Sequence, residues 1–231
     1  MNQFNQTYLI GDFLRVAYLP AMQKIIVQNI TKKFGRNLIF SGLNAEFNPG
    51  ATGIAGSNGS GKSTLMKCLS GLMKPDSGTI SHFEGDSVLD RNGLIRHLGF
   101  SAPYIQMYSE LTCAENLELL SGLRDGAGVM KADEVLELVE LHHKRDQPYG
   151  NLSSGLQQRL RLAGALIHKP AFLLLDEPGT NLDRNGFALV KRIVEEAKNR
   201  NATVILASND SGELDLCDTI IAVEDFKTEH K

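Results

Sequence analysis

Tryptophan is absent from this sequence, and cysteine nearly so. Its three cysteines, Cys68, Cys113 and Cys217, stand far apart, are odd in number and include no CxxC pair. That excludes a disulfide framework and a thiolate metal site, and they read as small core residues of a reducing compartment. Long apolar runs are missing too. The run at residues 171–175 is the size of a buried strand, far short of the roughly 20 residues that span a bilayer, so no direct membrane insertion is expected. Nor is there a basic excess: 24 Lys and Arg against 27 Asp and Glu leave a net charge of −3, without the electrostatic footprint of a nucleic-acid binder. Internal repeats and low-complexity linkers are also lacking. The remaining composition, 42% apolar and 22% charged over 231 residues, is that of one generous globular domain, with or without a small appended subdomain.

Residues 1–23 read as an N-terminal extension and residues 24–231 as the domain proper. Residues 1–22 mix polar and apolar side chains without a clear period, and no basic stretch precedes residues 8–17 as a secretory signal would need. An appendage or an upstream start is the plainer reading; a partner-binding arm is the alternative.

From Lys24 the pattern is α/β. Residues 25–30 and 43–47 are β-like and separated by Gly35 and Gly42, which suggests an N-terminal antiparallel β subdomain. A strand at residues 51–55 leads into a glycine-rich loop. A helix is expected from Ser63, with Leu65, Met66, Leu69, Leu72 and Met73 near helical spacing, ending by Pro75. The stretch 111–141 is helix-like, broken by a turn at residues 125–128, and marks an inserted helical subdomain at about 104–155. Strands at 172–175 and 203–207 flank a helix carrying Phe187, Val190, Ile193, Val194 and Ala197. Such alternation implies a mainly parallel sheet.

The loop after the first buried strand reads Gly56, Ser57, Asn58, Gly59, Ser60, Gly61, Lys62, Ser63, which satisfies G-x-x-x-x-G-K-[ST] in full. It lies between a strand and a helix, where the mechanism needs it. Its glycines let successive N–H groups turn toward phosphate oxygens, the helix start adds partial positive charge, and Lys62 reaches the β and γ phosphates. Ser63 offers a hydroxyl to Mg2+, and Thr64 closes the nucleotide-contacting set. The implied cofactors are ATP and Mg2+. The pattern resembles that of a P-loop NTPase core.

The apolar strand at 172–175 delivers Asp176 and Glu177 to a sheet's carboxyl edge, where open α/β folds place ligands. Asp176 is the candidate Mg2+ holder. Glu177 is the candidate that orients or deprotonates the attacking water.

Between these motifs stand Leu152, Ser153, Ser154, Gly155, Leu156, Gln157, Gln158 and Arg159. Here the chain resembles the ATP-binding cassette (ABC) family, whose signature reads LSGGQ followed by a Gln-Arg pair, with Ser154 in place of the first glycine. The resemblance runs from Lys24 to about Val223. It implies that Ser153, Ser154 and Gly155 contact a nucleotide held by the opposite subunit, so that a second ABC ATPase subunit completes each site in a homo- or heterodimer. It also implies a separate membrane permease, and a cytoplasmic chain held peripherally at the inner face of the cell membrane through it. Phe34 matches the aromatic that stacks on adenine, the alternative being simple packing on the ribbon. Asn181, Leu182 and Asp183 resemble the loop that communicates across the dimer, although Asp183 could equally cap the next helix.

Two positions depart from the family pattern. Pro103 stands where a metal- and water-contacting glutamine belongs, with Gln106 three residues on as the candidate substitute. Asn209 fills the slot of a switch histidine; its amide can donate to a phosphate but cannot act as acid or base. A slow or partner-dependent ATPase is therefore expected. The leading function is the ATP-hydrolysing subunit of an ABC transporter. A non-transport ABC ATPase of the assembly-scaffold type, and a nucleotide-binding scaffold without catalysis, are the alternatives. The paired His142 and His143 read as surface residues.

Overall fold

A computed structural model describes residues 22–123 and 129–227. The expected extension at 1–23 falls outside them except for Met22 and Gln23, as does the expected turn at 125–128.

Strands β1 (Gln23–Phe34) and β2 (Asn37–Phe47) form the anticipated antiparallel ribbon, with Ile25 opposite Phe47 and Ile30 opposite Leu43. Two strands not anticipated, β4 (Ser77–Glu84) and β5 (Ser87–Val88), complete a four-stranded antiparallel sheet in the order β2-β1-β4-β5. The second sheet is parallel throughout. It combines β3 (Gly50–Ala55), β6 (Leu98–Ser101), β7 (Phe172–Asp176), β8 (Thr203–Ser208) and β9 (Thr219–Ala222) in the order β6-β7-β8-β3-β9.

Every residue of β7 and β8 is buried, as a parallel strand covered on both faces requires. Alternation along β7 splits the core into two layers. Phe172 and Leu174 face the ribbon residues Ile25, Phe40 and Phe47 together with Leu65, Met66 and Leu69 of helix α1 (Lys62–Leu69). Leu173 and Leu175 face the helical side, built from α3 (Cys113–Gly122), α4 (Ala132–Leu138), α5 (Ser154–Leu166) and α6 (Arg184–Asn199). Short helices α2 (Arg91–His97) and α7 (Ser211–Leu214) complete the set.

Helix α1 is shorter than its apolar spacing suggested. It stops at Leu69, before a left-handed Gly71 (φ 73°), so Leu72 is exposed rather than part of a buried helical face. Cys68 and Cys113 are buried and Cys217 half-buried; burial pushes the Cys68 and Cys217 thiols up to about 11, as suits inert core residues. No helix among the described residues is long and apolar enough to cross a membrane.

Candidate functional site

The order β6-β7-β8-β3 brings four strand ends side by side at the carboxyl edge of the parallel sheet, the edge where such sheets bind ligands. The loops leaving them enclose an open cavity of about 520 Å3. The loop after β3 contributes Asn58, Gly59, Gly61, Lys62, Ser63 and Thr64, while Pro103, Glu177 and Asn209 arrive from the ends of β6, β7 and β8. Motifs up to about 150 residues apart in sequence thus share one wall.

Gly56, Gly59 and Gly61 hold φ of 156°, 78° and 113°, conformations that favour glycine. Gly61 is doubly constrained, because a Cβ there would stand 2.5 Å from the Ile39 Cγ2. The bend returns Lys62 over its own loop. Its ammonium donates to the Gly56 carbonyl at 2.8 Å and the Ser57 carbonyl at 3.3 Å, and lies 3.3 Å from a Glu177 carboxylate oxygen. Glu177 itself takes a left-handed backbone (φ 49°), a conformation costing on the order of 1 kcal/mol or more for a residue with a side chain. Its N–H donates to the Ala207 carbonyl at 2.8 Å, which fixes the turn against β8.

Asp176 is fully buried, and among the described residues neither carboxylate oxygen finds a hydrogen-bond partner of good geometry. Burial pushes its pKa up, while the nearby Ser63 hydroxyl favours the charged form and the Glu177 charge opposes it. A buried carboxylate without a partner beside a serine hydroxyl fits a small hard cation such as Mg2+, which takes oxygen donors.

The departures resolve differently. Asn209 does reach the site: its side-chain amide donates to the Asn58 oxygen at 3.1 Å. Gln106 does not. It is exposed on the connection from β6 to α3 and lines no part of the cavity; Pro103 is the residue there. The β6–α3 connection instead sets a partly exposed Tyr104 near Asp176, with the Lys67 ammonium 4.1 Å above its ring and the Phe100 ring edge-on at 6.1 Å. Burial and the Asp176 charge both push the Tyr104 pKa up. Tyr104, Ile39 and Thr180 are site neighbours that the motifs did not indicate, since only the fold brings them there.

Phe34 stands 50% exposed at the ribbon tip, outside the cavity wall, with the Lys32 ammonium 5.5 Å from its ring centre. Ser153, Ser154 and Gly155 line a different cavity, of about 490 Å3, with Asn181, Leu182 and Asp183. Ser153 caps α5 through the Leu156 N–H at 3.5 Å, and Asp183 caps α6 through the Gly186 N–H at 2.8 Å. Gly155 is required by closeness, because a Cβ would meet the Asn181 carbonyl at 2.8 Å. Within one chain the signature and the phosphate loop therefore do not meet. His142 and His143 are both exposed, as expected.

A parallel sheet carrying a glycine-bent phosphate loop, a buried strand-end aspartate and a separate capped signature defines a mixed α/β P-loop NTPase core of cassette type. A family model described as ABC transporter matches residues 40–180, and the chain belongs to that family. The bacitracin transport ATP-binding protein BcrA of Bacillus licheniformis is 36% identical over 81% of this chain and 62% of its own length. An uncharacterised ABC transporter ATP-binding protein, YybJ of Bacillus subtilis, is 33% identical over 87% of this chain and 91% of its own. The chain thus spans 62% of the length of the Bacillus licheniformis BcrA, and 60% of that of the bacitracin transport ATP-binding protein BcrA of Enterococcus faecalis. An ATP-binding cassette solved as a dimer in a post-hydrolysis state with ADP and Pi matches at a TM-score of 0.73 and 27% identity, over 87% of this chain and 94% of that one.

Proposed function

We propose that this chain is the ATP-binding and hydrolysing subunit of an ABC transporter, working as a dimer of cassettes beneath a separate membrane permease. The observation that carries this is the division of the chain into two incomplete surfaces. One cavity is lined by the phosphate loop, Lys62 and Glu177, with Asp176 fully buried at the end of the same strand, and another is lined by Ser153, Ser154 and Gly155. A second copy or a second cassette, turned head to tail, would bring the two together.

In this reading the loop N–H groups of residues 56–63 and Lys62 bind the triphosphate, with Thr64 beside them. Ser63 and Asp176 hold Mg2+, which neutralises charge developing on the phosphates. Glu177 orients the attacking water and accepts its proton. Asn209 contributes a neutral amide donor through the Asn58 contact, and Phe34 stacks on the base. Gln106 has no role. The family resemblance and the names of the transport relatives support the permease partner and a position at the inner membrane face, while hydrolysis slower than that of a cassette with a histidine follows from Asn209.

Light scattering on the Glu177→Gln variant tests the reading. With ATP and Mg2+ it should run as a dimer that the Ser153→Ala change weakens, while the wild type turns ATP over slowly. A chain that stays monomeric with ATP and any partner cassette supplied would overturn it.

A further inference from the structure

We propose that Glu224 is a positioning residue for the phosphate loop, setting nucleotide affinity through Ser57 without touching the reacting atoms. The proposal rests on the nucleotide-binding reading above and adds to it a residue that no motif includes.

Glu224 lies in the single helical turn Val223–Phe226 that follows β9, the strand paired with β3 from which the phosphate loop departs. One of its carboxylate oxygens accepts two bonds from Ser57, from the backbone N–H at 3.0 Å and from the hydroxyl at 2.6 Å. Those bonds hold the Glu224 carboxyl below the usual carboxylate range, with Lys227 and Lys62 favouring the charge further. The opposite side of the same residue is held as well. The Ser57 carbonyl accepts from the Ser60 N–H at 3.0 Å and from the Lys62 ammonium at 3.3 Å. Ser57 is therefore fixed between Glu224 on one side and the working end of the loop on the other.

The turn is itself anchored. Val223 is fully buried, and its Cγ1 stands 3.5 Å from where a Cβ on Gly61 would be, so the turn meets the loop near both ends. Removing the Glu224 acceptor frees the Ser57 peptide, and with it one of the carbonyls on which Lys62 rests. An ammonium with less defined placement binds phosphate more weakly. The carboxylate charge is not what the loop needs, since a negative group close to a triphosphate opposes binding; the acceptor is. This separates two substitutions that remove the same charge.

The test is calorimetric titration with ATP, alongside steady-state turnover and thermal melting. Glu224→Ala should weaken ATP binding by about 5- to 10-fold, the size of one ordinary hydrogen bond because Glu224 is exposed, with KM raised equally, kcat unchanged and the melting midpoint near that of the wild type. Glu224→Gln, which keeps an acceptor, should bind within about 2-fold of the wild type or tighter. Ser57→Ala in the Glu224→Ala background should add little, because the shared contact is already gone. Wild-type affinity in Glu224→Ala, or a Glu224→Gln variant as weak as Glu224→Ala, would overturn the proposal while leaving the parent reading intact. A wild type that does not bind ATP in the same titration would instead overturn the parent reading, and this one with it.

Discussion

The Lys62 ammonium and the Glu177 carboxylate face each other at 3.3 Å, joining the loop after one strand to the end of another that lies two places away in the sheet. Lys62 is only 5% exposed, and its ammonium is held by this carboxylate and by the two loop carbonyls. Hydrogen bonds to charged groups contribute about 1.5–3 kcal/mol. Lys62→Ala should therefore weaken ATP binding by at least ~10-fold, measured by titration calorimetry. Unchanged affinity would remove Lys62 from the site.

Glu177→Gln keeps the shape of the side chain and removes its ability to accept a proton. Turnover should fall by about 10²-fold or more while ATP binding persists, as expected for loss of a general base. Single-turnover and binding measurements on one preparation separate the two; equal loss of both would make Glu177 a structural residue.

Asn209, at the end of β8, donates to Asn58 of the phosphate loop. Asn209→Ala should lower turnover, and Asn209→His should raise it, because an imidazole near neutrality can donate or accept a proton. Wild-type turnover already at the level of the histidine variant would show that the amide suffices.

Asp176 has its carboxyl pKa raised by burial, so its sign runs opposite to that of a salt-bridged acid. Such a group stabilises the fold in its protonated form, below its unfolded pKa of about 4, and loses that contribution as the pH rises through the folded value. At neutral pH without divalent cations, Asp176→Asn should raise the melting temperature, by an increment that shrinks toward pH ~4. Mg2+ should raise the wild-type midpoint and leave the variant unmoved. The opposite ordering in calorimetric scans would count against a cation at this carboxylate.

Much of the fold was legible because its signals are local. Strands β7 and β8 announce themselves as short apolar runs, and the phosphate loop by glycines that a bend of that kind requires. The helix from Ser63 was overextended because apolar spacing continues past Leu69, whereas Gly71 in a left-handed conformation ends it. Strands β4 and β5 went unread because their mixed polar and apolar residues, exposed or half-buried except for His82, carry little of the alternation that marks a strand. Gln106 was put forward on proximity in sequence to a family position. The connection after β6 leaves it exposed and turns Tyr104 toward Asp176, a choice made by packing against Phe100 and Lys67.

By itself the sequence determined which residues could hold phosphate, metal and water, because glycine bends, an apolar strand ending in two acids and a capped helix start are properties of neighbouring residues. Only the tertiary structure decided which of them meet. The strand order β6-β7-β8-β3 assembles Lys62, Asp176, Glu177 and Asn209 at one edge, leaves Ser153 to Gly155 on another surface, and sets Glu224 against Ser57 across 167 positions. Contacts between residues so distant depend on how the strands are ordered in the sheet, which no local pattern records.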